Sequence, residues 1–194
     1  MNRPHGVVVA SKNPDKITEI EAVLAGLDPP VVVIPGHVWD DVDETEETLE
    51  ANALIKARAV AAATGHAAIA DDTGLEVDAL GGAPGVRTAR YAGEAATYED
   101  NVARLLSELE GVADRSATFR TAIALATPGG DSLVFEGSIE GRITNERRGE
   151  GGFGYDPVFE VEGRTLAEMG SAQKNAISHR AKALRALADA LNRS

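Results

Sequence analysis

The stretch Ala70-Asp71-Asp72-Thr73-Gly74-Leu75-Glu76-Val77 places two neighbouring carboxylates in an otherwise apolar segment. Apolar residues 67–70 lead into the pair, and apolar and polar side chains alternate after it. This pattern predicts a buried strand, a tight acidic turn and a second strand. Because consecutive side chains of an extended chain point to opposite faces, we expect only one of Asp71 and Asp72 to face a given cleft and the other to brace the turn.

The acidic pair also predicts a metal ion. Two like charges at one strand end repel each other, and a cation that binds there neutralises them. Carboxylate oxygens are ligands for hard divalent ions, so we expect Mg²⁺ at this turn. The alternative is an ordinary Asp-rich turn that caps itself, and this stretch alone does not separate the two.

Length and composition limit the possible classes of protein. A chain of 194 residues predicts one domain, residues 1–194, with room for two lobes. It has no cysteine, which excludes a disulfide framework and a cysteine nucleophile and fits a reducing cytoplasm. The start of the sequence lacks the apolar core of a signal peptide, and no apolar run approaches a membrane span, so we expect no membrane partner.

The formal net charge of −12 argues against general nucleic-acid binding, which needs a basic face. A small polyanionic ligand is still possible, but it needs a local cluster of basic side chains, a metal ion, or both. The positions of the five lysines are therefore informative: Lys12, Lys16, Lys56, Lys174 and Lys182.

A first candidate anion site follows the apolar run 6–10, which predicts a buried strand. The next residues are Ser11-Lys12-Asn13-Pro14-Asp15-Lys16. Asn13 suits a helix N-cap, Pro14 the first turn and Asp15 its positive end. A helix N-terminus after a strand can bind phosphate, and Lys16 is within reach of it. A capped, exposed helix is the alternative.

The next segments combine acidic and alanine-rich sequence. Residues 31–34 predict a buried strand, and residues 40–47 predict a solvated acidic loop or a helix start. Residues 48–64 predict a helix that ends at Gly65, with Asn52 and Lys56 on one face. Lys56 is a candidate phosphate ligand, although a surface lysine is the alternative.

The middle of the chain predicts the rest of a mixed sheet. Residues 80–85 are a Gly-rich loop, and residues 97–109 have a capped, amphipathic helical pattern. Residues 117–125 and 133–139 alternate around the turn 127–131, which predicts an antiparallel hairpin.

A second Gly-rich stretch, residues 149–157, holds Phe153-Gly154-Tyr155-Asp156 in a chain that has few aromatic residues. An aromatic ring beside glycines can stack on a nucleobase. The alternative is that both rings fill the core beneath a loop. Residues 158–159 predict the start of a short strand.

The C-terminal helix predicts further ligand contacts. Its apolar stripe begins at Ile177, and a start of the helix with Ser178 as the N-cap is an alternative. His179 and Arg180 then lie in the first turn and off the stripe, where they can face a ligand. Solvated side chains are the alternative, and Lys174 lies just before this helix.

Taken together and in order, these motifs resemble the inosine triphosphate pyrophosphatase family. The resemblance rests on residues 11–16, Asn52-Ala53 with Lys56, 70–75, 81–85, 89–91, 152–157 and 177–180. It implies an α/β fold with a mixed central sheet, flanking helices and two lobes around a cleft, as in ITPase-like and Maf-like proteins. It also implies a homodimer and Mg²⁺-dependent hydrolysis of ITP, dITP and XTP to the monophosphate and pyrophosphate.

The resemblance also implies roles for single residues. Asp72 corresponds to the proton acceptor that contacts the metal, Thr73 to a substrate contact and Glu44 to the other carboxylate on the metal side. The family's usual Glu-Asn-Ala is Ala51-Asn52-Ala53 here, with Glu50 displaced by one position.

The residues themselves predict the same chemistry. Hydrolysis of a phosphoanhydride needs charge neutralisation and an aligned water. Asp72 would orient or deprotonate that water, while Lys16, Lys56, Lys174 and the 11–13 loop would hold phosphates. Phe153 would stack on the purine, and Asp156, His179 and Arg180 would read its edge. The rivals are a Maf-like enzyme acting on modified pyrimidine nucleotides and a nucleotide sensor without catalysis.

Overall fold

A mixed β-sheet runs through the part of the chain that the computed structural model describes, residues 3–193. The strands are β1 (Gly6–Val9), β2 (Val32–Val33), β3 (Ala68–Val77), β4 (Pro84–Gly85), β5 (Ser116–Ala126), β6 (Ser132–Ile143), β7 (Phe159–Val161) and β8 (Arg164–Thr165). The helices are α1 (Pro14–Ala25), α2 (Leu49–Thr64), α3 (Tyr98–Glu108), α4 (Ser171–Ile177) and α5 (His179–Asn192).

The strand order is β2-β1-β3-β5-β6-β7-β8, and β4 pairs with β3 outside this path. β1 is parallel to β2 and to β3, whereas β4 is antiparallel to β3 and β7 is antiparallel to β6 and β8. This arrangement confirms the predicted α/β class with a mixed central sheet.

The chain divides into two compact units, each with its own core. The first contains residues 3–72, 121–137 and 178–193 of the described chain, and the second contains residues 73–120 and 138–177. In the first unit, helices α1 and α5 pack apolar residues such as Ile20 and Leu184 on β1, β3 and β5. In the second, Leu105 of α3 packs with residues of β3, β5 and β6.

Local capping chemistry sets the helix boundaries. Asn13 caps α1, Thr48 caps α2 and Ser178 caps α5 through their side chains. Thr97 and Asp100 form a reciprocal capping box at α3, and Gly65 ends α2 with a φ of 70°. The caps at Asn13, Thr97 and Ser178 and the end at Gly65 confirm the sequence predictions, whereas Thr48 was predicted as part of helix α2 and is its N-cap. No helix among residues 3–193 is long and apolar enough to cross a membrane.

Three sequence predictions about strands were wrong. Residues 68–77 form one continuous strand with no acidic turn, because basic side chains of the first unit compensate both carboxylates. The predicted buried strand 31–34 is only Val32–Val33, and Val32 is 62% exposed because β2 ends the strand order. The Gly-rich loop 80–85 includes β4, which pairs with β3. Helix α4 was not predicted.

Candidate active site

Asp71 lies in a buried cluster of charges in the first unit. Its Oδ2 atom is 3.1 Å from Lys16 Nζ and 3.1 Å from Arg180 Nη2, and Arg180 also contacts Glu19. Burial alone raises the pKa of Asp71, but Lys16 and Arg180 outweigh it and hold that pKa well below its ordinary value. Asp71 is therefore a permanent anion that fixes two cations.

Asp72 has a different set of partners, because the next side chain along β3 points to the opposite face. Its Oδ1 atom is 3.3 Å from Lys56 Nζ, which is also 2.5 Å from Glu44 Oε1. Burial raises the pKa of Asp72 above its ordinary value, and Lys56 offsets this only in part. A carboxylate with a raised pKa is a better proton acceptor than a carboxylate with the ordinary pKa.

The surroundings of Asp72 suit a divalent cation. Its Oδ2 atom is buried and has no hydrogen-bond partner among residues 3–193. Glu44 and Asp72 both contact the ammonium of Lys56, so their oxygens converge on one cationic position. The described residues include no group of three or more candidate metal ligands. Mg²⁺ commonly binds one or two protein carboxylates and takes its other ligands from water and phosphate, which fits this pair.

The loop before α1 is held by its own side chains. The Asn13 side chain accepts hydrogen bonds from the backbone N–H groups of Asp15, at 2.9 Å, and Lys16, at 3.4 Å. Ser11 Oγ accepts from the Asn13 N–H at 3.2 Å, and Lys12 pairs with Asp41 at the surface. Pro14 and Asp15 are exposed at the start of α1. In the first turn of α1, Lys16 contacts the acidic pair through Asp71.

A second cluster lies in the other unit, around Phe153. The buried Asp156 accepts hydrogen bonds through Oδ2 from the Phe153 N–H, at 2.8 Å, and from Lys174 Nζ, at 2.6 Å. Lys174 Nζ also lies 4.8 Å from the centroid of the Phe153 ring. Both members of this ion pair are buried, so they fix the conformation of the loop that carries the half-buried aromatic ring.

Two neighbouring predicted contacts differ in exposure. Tyr155 is only 3% exposed, belongs to the core of the second unit and donates a hydrogen bond to the carbonyl of Thr88 at 3.0 Å. Gly154 has a φ of 61°, and a side chain there would meet nothing within 4 Å. Thr73 follows Asp72 on β3 and is half-buried. The substrate contacts assigned to these residues remain predictions.

His179 and Arg180 begin α5 in the first unit, and both are buried. His179 Nδ1 is 2.6 Å from Thr121 Oγ1. The Arg180 guanidinium contacts Asp71 and Glu19, and its pKa is raised: burial lowers it, but the two carboxylates outweigh burial. Arg180 therefore braces Asp71 in this structure, and its contact with a base edge remains a prediction.

Sequence reasoning did not single out Glu19, Thr121 or Tyr98. Glu19 lies three residues after Lys16 on α1, a spacing that places both on one helix face. Tyr98 is the first residue of α3, and its ring centroid is 5.9 Å from that of Phe153. Thr121 gave no signal, because it is one of several small residues in an alternating strand.

Comparison with known proteins identifies the family. The sequence model of the Ham1 family matches residues 7–190. The chain belongs to the Ham1 family. A Ham1 protein from Coxiella burnetii has a similar solved structure, with a TM-score of 0.83 and 41% identity over 97% of this chain and 99% of that one.

Curated relatives of this Ham1-family chain carry a specific name. A protein of Bacillus licheniformis named dITP/XTP pyrophosphatase is 48% identical over 97% of this chain and 98% of its own length. A protein of Geobacter sulfurreducens with the same name is 50% identical over 95% of this chain and 96% of its own length. Identity over nearly whole chains means that the motifs above lie within the aligned regions.

Proposed function

We propose that this Ham1-family chain hydrolyses non-standard purine nucleoside triphosphates, namely ITP, dITP and XTP, to the monophosphate and pyrophosphate, and so removes them from the nucleotide pool. The names of its relatives support the substrate class. The observation that carries the chemistry is the buried Asp72, which has one oxygen without a hydrogen-bond partner among the described residues and shares Lys56 with Glu44.

In this proposal, Asp72 and Glu44 hold Mg²⁺, which neutralises phosphate charge when bound. Asp72 accepts the proton of the water that attacks the α-phosphorus. The bond from that phosphorus to the oxygen bridging to the β-phosphate breaks, and pyrophosphate leaves. Lys16 and Lys56 neutralise phosphate oxygens, and Asp71 keeps Lys16 in position. Burial lowers the pKa of Lys56, but the carboxylates around it outweigh burial and raise it, so this ammonium group acts without a proton transfer.

In this proposal, the loop that carries Phe153 and the start of α5 recognise the base. Phe153 stacks on the purine, and the Asp156–Lys174 pair keeps its loop in one conformation. His179 directs a donor at the 6-oxo group of hypoxanthine or xanthine. Adenine has an amino donor at that position, which would leave the protein donor unpaired, at a cost of about 1–3 kcal/mol.

A substrate panel tests the function. We expect pyrophosphate release from ITP and XTP in the presence of Mg²⁺, with kcat/KM about 10- to 100-fold above that for ATP. Equal or faster turnover of dUTP and dTTP would replace the purine assignment with a Maf-like one. Nucleotide binding without pyrophosphate release would make the protein a sensor.

The catalytic assignment has a separate test. Asp72→Asn should lower kcat for ITP by about 10²- to 10⁴-fold, because the attacking water loses its proton acceptor. Asp189→Asn, at an exposed position of α5, is the matched control and should keep the wild-type rate. Full turnover by the Asp72 variant would show that another group takes the proton.

We further propose a homodimer that works in the cytoplasm. The family resemblance supports the dimer, and the absence of cysteine in the sequence fits a reducing compartment. Light scattering coupled to size-exclusion chromatography should give twice the chain mass of 20.2 kDa. A mass of one chain at micromolar concentration would reject the dimer.

A further inference from the structure

The imidazole of His179 is held from the neighbouring strand β5. Thr121 Oγ1 is 2.6 Å from Nδ1 of the ring, and both residues are buried, with 0% and 4% exposure. In the first unit, this contact joins the start of α5 to the sheet. A hydrogen bond in such a dry environment fixes both the orientation of the ring and the position of its proton.

The backbone of the same residue lies against β6, the next strand in the sheet order. Gly137 lies so close to α5 that a Cβ atom there would be 2.2 Å from the His179 carbonyl oxygen and 2.6 Å from the Ala183 nitrogen. Ser178 also caps the helix by accepting from the Ala181 N–H at 3.2 Å. The ring and the backbone of His179 are thus located by separate elements.

We propose that Thr121 is the positioning residue of His179 and sets which ring nitrogen carries the proton. A neutral imidazole has one N–H, and a threonine hydroxyl can donate or accept. We infer that Thr121 donates to Nδ1, which places the proton on Nε2 as a donor. This inference rests on the proposed function, in which His179 directs its Nε2 donor at the 6-oxo group of the purine. Thr121 thereby contributes to purine selectivity.

The tautomer can be measured in the protein without substrate. Long-range ¹⁵N–¹H NMR distinguishes the protonated ring nitrogen, and His179→Gln assigns the signal among the four histidines of the chain. We expect Nε2–H in the wild type, a loss of that single tautomer in Thr121→Val, and its return in Thr121→Ser. A proton on Nδ1 in the wild type, or an unchanged tautomer in the valine variant, would overturn the proposal.

Kinetics provide the second measurement. Thr121→Val should raise KM for ITP about tenfold and reduce the preference for ITP over ATP, with kcat within about twofold of the wild type. Thr121→Ser should restore both values, and Thr118→Val, on the same strand, should change neither. If the serine variant behaves like the valine variant, the hydroxyl is not responsible and the proposal fails.

The two measurements separate this inference from the proposed function. A wild type that does not hydrolyse ITP rejects the function, but the tautomer still decides whether Thr121 orients His179. A wild type that hydrolyses ITP, together with a Thr121→Val variant that keeps the wild-type KM, rejects the role of Thr121 and leaves the function intact. Circular dichroism of each variant checks that it is folded.

Discussion

Asp71 and Asp72 are neighbours in the sequence, but their surroundings shift their pKa values in opposite directions. Asp71 Oδ2 lies within 3.1 Å of two cations, which lower its pKa despite burial. Asp72 has one cation at 3.3 Å and a nearby carboxylate, and its pKa is raised, chiefly by burial. Because side chains alternate along β3, the two carboxylates have different surroundings. The folded state favours the charged form of Asp71 and disfavours the charged form of Asp72.

This difference predicts opposite effects of two similar substitutions on stability. The lowered pKa of Asp71 means that its charge stabilises the fold above its unfolded pKa of about 4, and this stability is lost as the pH falls. Asp71→Asn should therefore lower the free energy of unfolding at pH 7 by about 3–5 kcal/mol, because it leaves buried cations uncompensated. Urea denaturation at pH 7 and pH 3 should show this loss shrinking at the lower pH.

Asp72→Asn is the matched comparison. The raised pKa of Asp72 means that the folded state holds the proton more tightly, so the benefit is present at low pH and is lost as the pH rises through that pKa. Asparagine resembles the protonated form, and Lys56 keeps Glu44 as a partner. The free energy of unfolding at pH 7 should equal or exceed that of the wild type. Equal destabilisation by both substitutions would contradict the assignment.

Gly152 allows a different single-residue test, on the loop of Phe153. A Cβ atom there would lie 2.1 Å from Asp156 Oδ2, the oxygen that accepts from the Phe153 N–H. Gly152→Ala should displace that carboxylate and raise KM for ITP by about tenfold, because the loop loses one hydrogen bond and its fixed conformation. Gly163→Ala is the control: its φ is also positive, at 84°, but it has open space around it. It should leave KM unchanged.

The sequence indicated which basic residues could contact Asp71 and Asp72, but not which of them contacts which carboxylate. Only five lysines occur in the chain, so those near motifs were obvious candidates, and Lys16 and Lys56 do contact the two carboxylates. The use of Arg180 as a brace for Asp71 could not be predicted, because the two residues are 109 positions apart and meet only through tertiary packing.

Among the elements, the junction between α3 and the end of β6 depends on one arginine. The buried Arg115 donates to the carbonyl oxygens of Ile143, at 2.8 Å, Leu109, at 2.6 Å, and Thr144, at 2.8 Å. These carbonyls lie at the ends of α3 and β6, where regular backbone pairing stops. The planar guanidinium donates from three separate nitrogens, one to each carbonyl, whereas the three donors of an ammonium group share one nitrogen.

Arg115→Lys should therefore destabilise the protein although it keeps the charge. Loss of two hydrogen bonds to buried carbonyls is expected to lower the free energy of unfolding by about 2–3 kcal/mol in urea denaturation. Arg87→Lys, at an exposed position of the same unit, is the control and should stay within about 0.5 kcal/mol of the wild type. Equal stability of Arg115→Lys and wild type would mean that water replaces the lost donors.

Elements whose ends depend on local hydrogen bonds were predictable. Strand β3, which depends on the neutralisation of two carboxylates by distant cations, was not. The caps at Asn13 and Thr97 set helix starts because each side chain bonds its own first turn. The continuity of β3 was missed, because two adjacent carboxylates favour a turn unless distant cations neutralise them. The sequence pattern of a single strand carries no information about those cations.

At the scale of the whole molecule, two cores share three strands. Each of β3, β5 and β6 has residues in both units, since the unit boundaries fall after Asp72, Arg120 and Gly137. The chain therefore passes from one core to the other within each of these three strands. Continuous strands predict one cooperative transition for the whole chain.

Matched cavities in the two cores test this cooperativity. Leu184 lies in the first core and Leu105 in the second, and both have 0% exposure. Leu184→Ala and Leu105→Ala should each lower the free energy of unfolding by about 2–5 kcal/mol, and each should move a single calorimetric transition without splitting it. Val38→Ala, at a 91% exposed position, should leave the transition in place. Two transitions in either leucine variant would mean that the units unfold separately, because the shared strands would then not couple them.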